Sequence, residues 1–145
     1  MTVCISTDKK LLDVALIHQF LTQHSAWARG IDRATVEKSI AHSLCFGAYI
    51  EEQQVGFARV ISDYATFANL VDVFVLDAFR GRGVSRQLMS AVVEHPELCS
   101  LRRFTLATSD AHGLYAKFGF QSLVKPATFM ERYFPDCYQN ESEQQ

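Results

Sequence analysis

The chemistry-bearing residues of this chain gather in Phe79-Arg80-Gly81-Arg82-Gly83-Val84-Ser85-Arg86, between an apolar run and an amphipathic one. Two glycines let a backbone turn tightly and approach a ligand, and the free N–H groups at a helix start, helped by the helix dipole, favour an anion. With Arg80, Arg82 and Arg86 beside them, the pattern points to a phosphate-bearing ligand. It is not the dinucleotide pattern Gly-x-Gly-x-x-Gly, because Arg86 stands at the third glycine, and it lacks the Gly-Lys-Ser/Thr ending of a triphosphate loop. A purely structural turn is the competing account, since strand-to-helix turns often take glycine. Asp72 is the second notable residue. An acid inside an apolar run is costly unless paired or used, so it is either a proton acceptor or a structural carboxylate bonded to backbone or to an arginine.

Periodicity supplies the elements that must position these residues. Residues 3–5 read as a short strand, and Leu11, Leu12, Ala15, Leu16 and Phe20 recur at three-to-four spacing, predicting a helix over 8–23. Residues 34–43 read as a shorter helix, and 44–51 and 54–62 as two strands joined by the polar turn Glu51-Glu52-Gln53. The run 66–76 is apolar at both parities, as in a central strand covered on both faces. A third helix follows over 84–94, ended by His95-Pro96. Then come a strand at 104–107, a short helix at 111–118 with Gly119 leaving it in a left-handed conformation, and last strands at 120–124 and 129–133. Strand-helix-strand around 70–107 implies a parallel crossover in a sheet that otherwise runs in hairpins.

The bulk numbers set limits on function. The chain has 145 residues, 48% of them apolar, and 14 Lys+Arg against 16 Asp+Glu, which describes one ordinary globular domain over 1–135 with a polar tail over 136–145. A net charge of −2 gives no bulk reason to bind nucleic acid, although a local basic patch still suits a small anion. No run reaches the ~20 apolar residues of a membrane span, and no secretory signal opens the chain, so a cytoplasmic location with no membrane partner is expected. Cys4, Cys45, Cys99 and Cys137 are widely spaced, predicting reduced and mostly buried thiols. The five histidines show no ligand spacing with each other or with cysteine, so no metal is expected.

Val73-Phe74-Val75, then Arg80-x-x-Gly83-x-Ser85, then Tyr115-x-x-x-Gly119-Phe120 resembles the acetyl-CoA signature of the GNAT superfamily of N-acetyltransferases. The stretch Asp110-Ala111-His112-Gly113-Leu114-Tyr115 is similar to a small bacterial branch of it. The element order agrees over roughly residues 1–133. The loop departs from the family pattern at Ser85, where Gly or Ala is usual. The resemblance implies a GNAT-like α/β fold: a mixed, mostly antiparallel sheet with a parallel, splayed strand pair and about four helices. It implies acetyl-CoA as cosubstrate, with the backbone of Val73, Phe74 and Val75 holding the pantetheine arm and one of their N–H groups polarising the thioester carbonyl. Gly81, Gly83, Val84 and Ser85 would cradle the pyrophosphate, with charge from Arg80, Arg82 and Arg86. Thr108 stands where the superfamily often has an Asn, seven residues before the tyrosine, and would donate a shorter-reaching hydrogen bond.

On the same resemblance Tyr115 is the general acid that protonates the departing thiolate; a core aromatic on a short helix is the alternative. The acceptor is a primary amine of a small molecule or protein, whose proton needs a base. Asp72 is the first candidate for that role and His112 the second, while Trp27, Arg29 and Arg33 would border the acceptor pocket. Such domains commonly form homodimers. The rival reading is a non-catalytic acyl-CoA-binding regulatory module.

Overall fold

The computed structural model describes residues 2–139. Five strands form one sheet in chain order: β1 (Cys4–Ser6), β2 (Leu44–Ile50), β3 (Gln53–Ser62), β4 (Phe67–Val75) and β5 (Arg103–Leu106). The first four are antiparallel neighbours, and β4 and β5 are parallel. This is the expected mixed sheet, with α3 (Val84–Glu94) as the crossover of the parallel pair.

Side chains alternate across a pleated strand, and that alternation divides the core in two. Cys45, Phe57 and Phe74 pack with Ile17, Leu21, Val36 and Ile40 of α1 (Val14–His24) and α2 (Arg33–Ala41). Their sequence neighbours Phe46, Ala58 and Val75 point the other way, onto Val84, Leu88, Met89 and Val92 of α3. Gly56 allows α3 to start close to the sheet. A β-carbon there would sit 3.1 Å from the Phe74 carbonyl oxygen and 3.2 Å from Val84 Cγ1, so the loop before α3 is held against β3 and β4 by the lack of a side chain.

Several boundaries differ from the expectations, each for a local reason. Instead of one helix over 8–23 there is a 3-10 turn, Lys9–Leu11, capped by Asp8, and then α1 with Asp13 as its N-cap, accepting from the Leu16 N–H at 3.1 Å. Asp13 also donates its own N–H to Gln54 Oε1 at 2.7 Å, which ties the helix start to β3. Two capping aspartates split what periodicity alone reads as continuous. The β2–β3 turn is tighter than expected, with Glu51 and Glu52 both at positive φ (51° and 68°), so β3 begins at Gln53. The fourth helix, α4 (His112–Ala116), is short, and Gly119 follows at φ +92° as expected.

The largest correction is at the C-terminal end. Residues 120–124 and 129–133 form no strands, and the sheet stops at β5. Residues 121–138 are all exposed, and no backbone hydrogen bond joins them to β5. A strand needs a ladder partner, and this part of the chain lies off the sheet edge. The tail expected from 136 onward begins instead with a turn over 135–139, and residues 140–145 lie outside the described ones. All four cysteines are free thiols as expected, but Cys4, Cys99 and Cys137 are exposed. Cys45 is buried, and that burial pushes its thiol up to about 11.

Leu88 has no exposed surface and packs directly behind the loop that starts α3. Leu88→Ala is expected to cost about 2–5 kcal/mol, read as a lower urea midpoint with an unchanged slope.

Candidate active site

The site is built around an irregularity in β4. On β3, Phe57 and Arg59 are separated by one residue, while their β4 partners Phe74 and Val71 are separated by two. The extra residue makes a β-bulge, and Asp72 lies in it at φ +56°. A left-handed conformation is uncommon outside glycine, but aspartate is among the residues that adopt it. Three side chains hold it there. Asp72 Oδ2 accepts from Arg59 Nε at 2.9 Å, Asp72 Oδ1 accepts from Trp27 Nε1 at 2.7 Å, and Arg59 Nη1 donates to Ser43 Oγ at 3.0 Å. The carboxylate is buried, with 7% of its side chain exposed.

The bulge coincides with the parting of the parallel strands. Register between β4 and β5 runs from Phe67–Arg103 to Leu70–Leu106 and ends there. Beyond it the strands diverge around a cleft of about 430 Å³. Val73, Phe74 and Val75 form one wall, Ala111, Leu114 and Tyr115 the other, and the loop from Phe79 to Arg86 closes the end.

That loop is shaped by two left-handed glycines, Gly81 and Gly83, both at φ +80°. Nothing lies within 4 Å of a β-carbon built at either, so conformation and not space calls for glycine here. Gly83 is the N-cap of α3, and the first helical bond to it comes from the Gln87 N–H at 3.1 Å. The N–H groups of Val84, Ser85 and Arg86 therefore precede the helix's own ladder. The arginines stand at the rim. Arg80 pairs with Asp77 at 3.2 Å in solvent, Arg82 lies 5.3 Å from the centre of the Phe79 ring, and Arg86 is exposed.

Tyr115 is half-buried on α4 and borders two cavities. Burial raises its hydroxyl above the ordinary phenol value, and the charge of Asp110 adds to the effect. On its far side is a second space of about 550 Å³, bordered by Thr108, His112 and β5. Thr108 accepts the Ala111 N–H at 3.0 Å on its hydroxyl oxygen, so it shapes the entry to α4. The structure thus gathers Val73, Phe74, Val75, Arg80, Gly81, Gly83, Val84, Ser85, Arg86 and Tyr115 around one cleft, with Arg82 on the same loop. Thr108 and His112 lie on the other side of Tyr115, and Asp72 is engaged with Trp27 and Arg59.

Sequence reading did not single out Arg59 or Ser43, and it named Ala111 and Leu114 only within the stretch that carries the family resemblance. An arginine two strands' length away from an aspartate carries no spacing signal, although an aspartate in an apolar strand implies some cation. Trp27 does reach the site through its bond to Asp72, with its ring half exposed. Arg29 donates to the Gln23 carbonyl at 3.3 Å, and Arg33 pairs with Glu37 along α2 at 3.4 Å.

A parallel strand pair that parts at a bulge, with a glycine-turned loop at its open end, defines the class of this mixed α/β fold. Residues 41–122 match the acetyltransferase (GNAT) domain family, and the chain belongs to that family. A Gibberella zeae protein described as a candidate acetyltransferase is 32% identical, with the match covering 78% of this chain and 75% of the relative. A crystal structure from Xanthomonas campestris, described as a candidate GNAT acetyltransferase, is 57% identical with a TM-score of 0.94 over 96% of this chain and 98% of its own. The fold also extends to a Mycobacterium tuberculosis protein solved in complex with CoA, at 15% identity and a TM-score of 0.68, covering 83% of this chain and 72% of that one.

Breaking the clamp on the bulge has a predictable cost. Asp72→Ala leaves the Arg59 guanidinium buried without its partner and is expected to cost about 3 kcal/mol or more in urea unfolding. Because Trp27 is the chain's single tryptophan, its fluorescence should shift in the folded variant as the indole N–H loses its acceptor.

Proposed function

We propose that this protein transfers the acetyl group of acetyl-CoA to a primary amine by direct attack in a ternary complex. The observation that carries the reading is the cleft itself: a bulge-splayed strand, a left-handed glycine loop at a helix start, and a half-buried tyrosine on the facing wall. The residues fit the cosubstrate. Its pyrophosphate suits the N–H groups of Val84, Ser85 and Arg86 and the surrounding arginines. Its pantetheine arm suits the β4 backbone at Val73, Phe74 and Val75, which has no ladder partner on the β5 side among the described residues. Bound there, acetyl-CoA supplies an activated thioester.

The chain's own residues then do the remaining work. An N–H of the splayed strand polarises the thioester carbonyl as the amine attacks, where charge develops on oxygen. Tyr115 donates its phenolic proton to the sulfur as the C–S bond breaks. Its raised hydroxyl keeps that proton on the phenolic oxygen at neutral pH, which an acid requires. Asp72 was the first candidate to take the amine's proton. With one oxygen on Arg59 and the other on Trp27, we assign it a positioning role, fixing the indole and the bulge, and give the amine's proton to solvent. Thr108 acts on the same side as His112, shaping the wall behind Tyr115.

Three expected outcomes test this. Tyr115→Phe should lower kcat by about 100-fold or more while acetyl-CoA binding, followed by calorimetry, stays within error. Full turnover in that variant would remove the assignment. Gly83→Ala forces a β-carbon into the left-handed region at about 1–2 kcal/mol and should weaken CoA binding by roughly tenfold. Thiol release with an amine acceptor should rise with pH, because amines of pKa near ~10 must lose a proton. Since Tyr115 is shifted upward, no falling limb should appear below about pH 10. Tight CoA binding with no thiol release across a panel of amines would favour a non-catalytic binding module.

A further inference from the structure

Two contacts join the C-terminal segment to the body of the molecule. At its start the Arg103 guanidinium of β5 lies 4.8 Å from the centre of the Phe129 ring. At its end the Tyr138 backbone packs on the loop between α1 and α2 at Gly30, where a β-carbon would sit 2.7 Å from the Tyr138 carbonyl oxygen. Gly30 has φ +88° as well, so conformation and close approach both call for glycine there. Between the two contacts, no backbone hydrogen bond or ion pair ties residues 130–138 to the body among the described residues. The only backbone bonds in that stretch are local, from the Cys137 N–H to the Phe134 carbonyl and from the Gln139 N–H to the Asp136 carbonyl. Met130 is accordingly 97% exposed and Tyr133 70%.

The second contact falls beside the β4 bulge. The loop that carries Gly30 also carries Trp27, which donates to Asp72 at 2.7 Å, and Gly30 itself is fixed by its N–H on the Thr22 carbonyl at 3.0 Å. The mount is therefore firm. The Tyr138 phenol reaches the same cluster: burial raises it above the ordinary value, the charges of Cys137, Asp72 and Asp32 add to the effect, and Arg59 opposes it. Arg59 shares strand parity with Phe57, so the cluster lies on the sheet face turned to α1 and α2. The cosubstrate, in the reading above, meets the loop from Phe79 to Arg86, which leads into α3 on the opposite face. An attacking amine has to arrive where the cosubstrate does not lie, and the α1–α2 side of the bulge is where the segment ends.

We propose that residues 130–138 form a strap, pinned at Arg103 and latched at Gly30, which covers the amine's approach to β4 and lifts at the Gly30 end to admit the acceptor. The gating rests on the transferase reading; the latch does not. The pinned end follows the 3-10 turn Pro126–Thr128, whose own backbone bonds hold Thr128 and Phe129 in place. The latched end is one close backbone contact and one ring that is 39% exposed. With no hydrogen bond to the body to break, it opens at little cost, which is what a cover that cycles at every turnover requires. A strap closed most of the time weakens the apparent affinity for the amine by the fraction of molecules that are open. Acetyl-CoA, bound from the other face, escapes that effect.

Two variants of the full chain unlatch the strap by different means. Gly30→Ala sets a methyl group against the Tyr138 carbonyl, and Tyr138→Ala removes the ring while leaving the α1–α2 loop as it is. Trp27, the single tryptophan, reports on the latch without turnover: acrylamide should quench it about 1.5-fold or more strongly in both variants, with circular dichroism unchanged. In thiol-release assays both should show a KM for the amine about threefold or more below that of the wild type, and an unchanged KM for acetyl-CoA. Wild-type quenching in Tyr138→Ala would overturn the strap. An amine KM that stays level or rises in that variant would overturn its gating role. Thiol release absent from every form, wild type included, would overturn the transferase reading and the gating with it, while the quenching result still judges the latch.

Discussion

The arrangement of this molecule depends on one buried ion pair at a backbone irregularity. Asp72 is the extra residue of the β4 bulge, and it stays in the left-handed region because Arg59 and Trp27 hold its two oxygens. The bulge turns the end of β4 away from its parallel neighbour, whose ladder stops at Leu106. Removing an ion pair from water is expensive, and such pairs are often no better for stability than apolar replacements. Here the pair sits where the chain must leave regular geometry, and its Trp27 bond anchors the loop between α1 and α2 to the sheet. A conformational role accounts for its presence better than a stability role does.

From that point the cleft follows by packing. β4 past the bulge keeps its antiparallel register with β3, so Phe74 still enters the α1–α2 core, stacked on Phe20 at 4.0 Å, while Val75 enters the α3 core. The wall of the cleft is thus anchored on both faces of the sheet. Gly56 brings the first turn of α3 close behind it, which sets the position of the glycine loop. The facing wall is anchored on one face only, through partly buried Tyr115, Phe118 and Phe120 packed against the α3-side core. α4 is a single short turn with no buried residue, supported by the edge-on contacts of Phe120 with Tyr115 and Phe104. A wall anchored on both faces of the sheet and a more lightly held one would suit the proposed transfer, in which two substrates enter and two products leave.

How much of this was legible in the sequence varied with the range of the interactions involved. The central strands and α3 were readable because their apolar patterns encode burial directly, and the glycine loop because positive φ and a helix start both leave residue-type signals. Asp72 was visible as an anomaly, but the meaning of the anomaly depended on Arg59, brought beside it by the register of a hairpin. The split of the first helix turned on two aspartates each capping its own turn, the second tied to β3 through Gln54. Thr108 was placed by analogy of spacing, and spacing along the chain does not say on which side of Tyr115 a hydroxyl falls.

The C-terminal segment is the instructive exception. Its residue types describe a strand, and a strand's hydrogen bonds must go somewhere. Among the described residues the backbone of 130–133 makes no such bond, even though an unpaired edge of β5 lies nearby. Local preference and the monomer's structure disagree there, and such disagreement marks a place where the sequence answers to something beyond the isolated fold. Exposed apolar strands and open sheet edges are features that soluble chains usually suppress with charges, prolines or covering loops. Pro126 and Pro135 flank the segment without entering it, and within it the charges are confined to the central Glu131-Arg132. The residues along 129–134 thus keep the types of a strand where the chain leaves Met130, Tyr133 and Phe134 exposed to solvent.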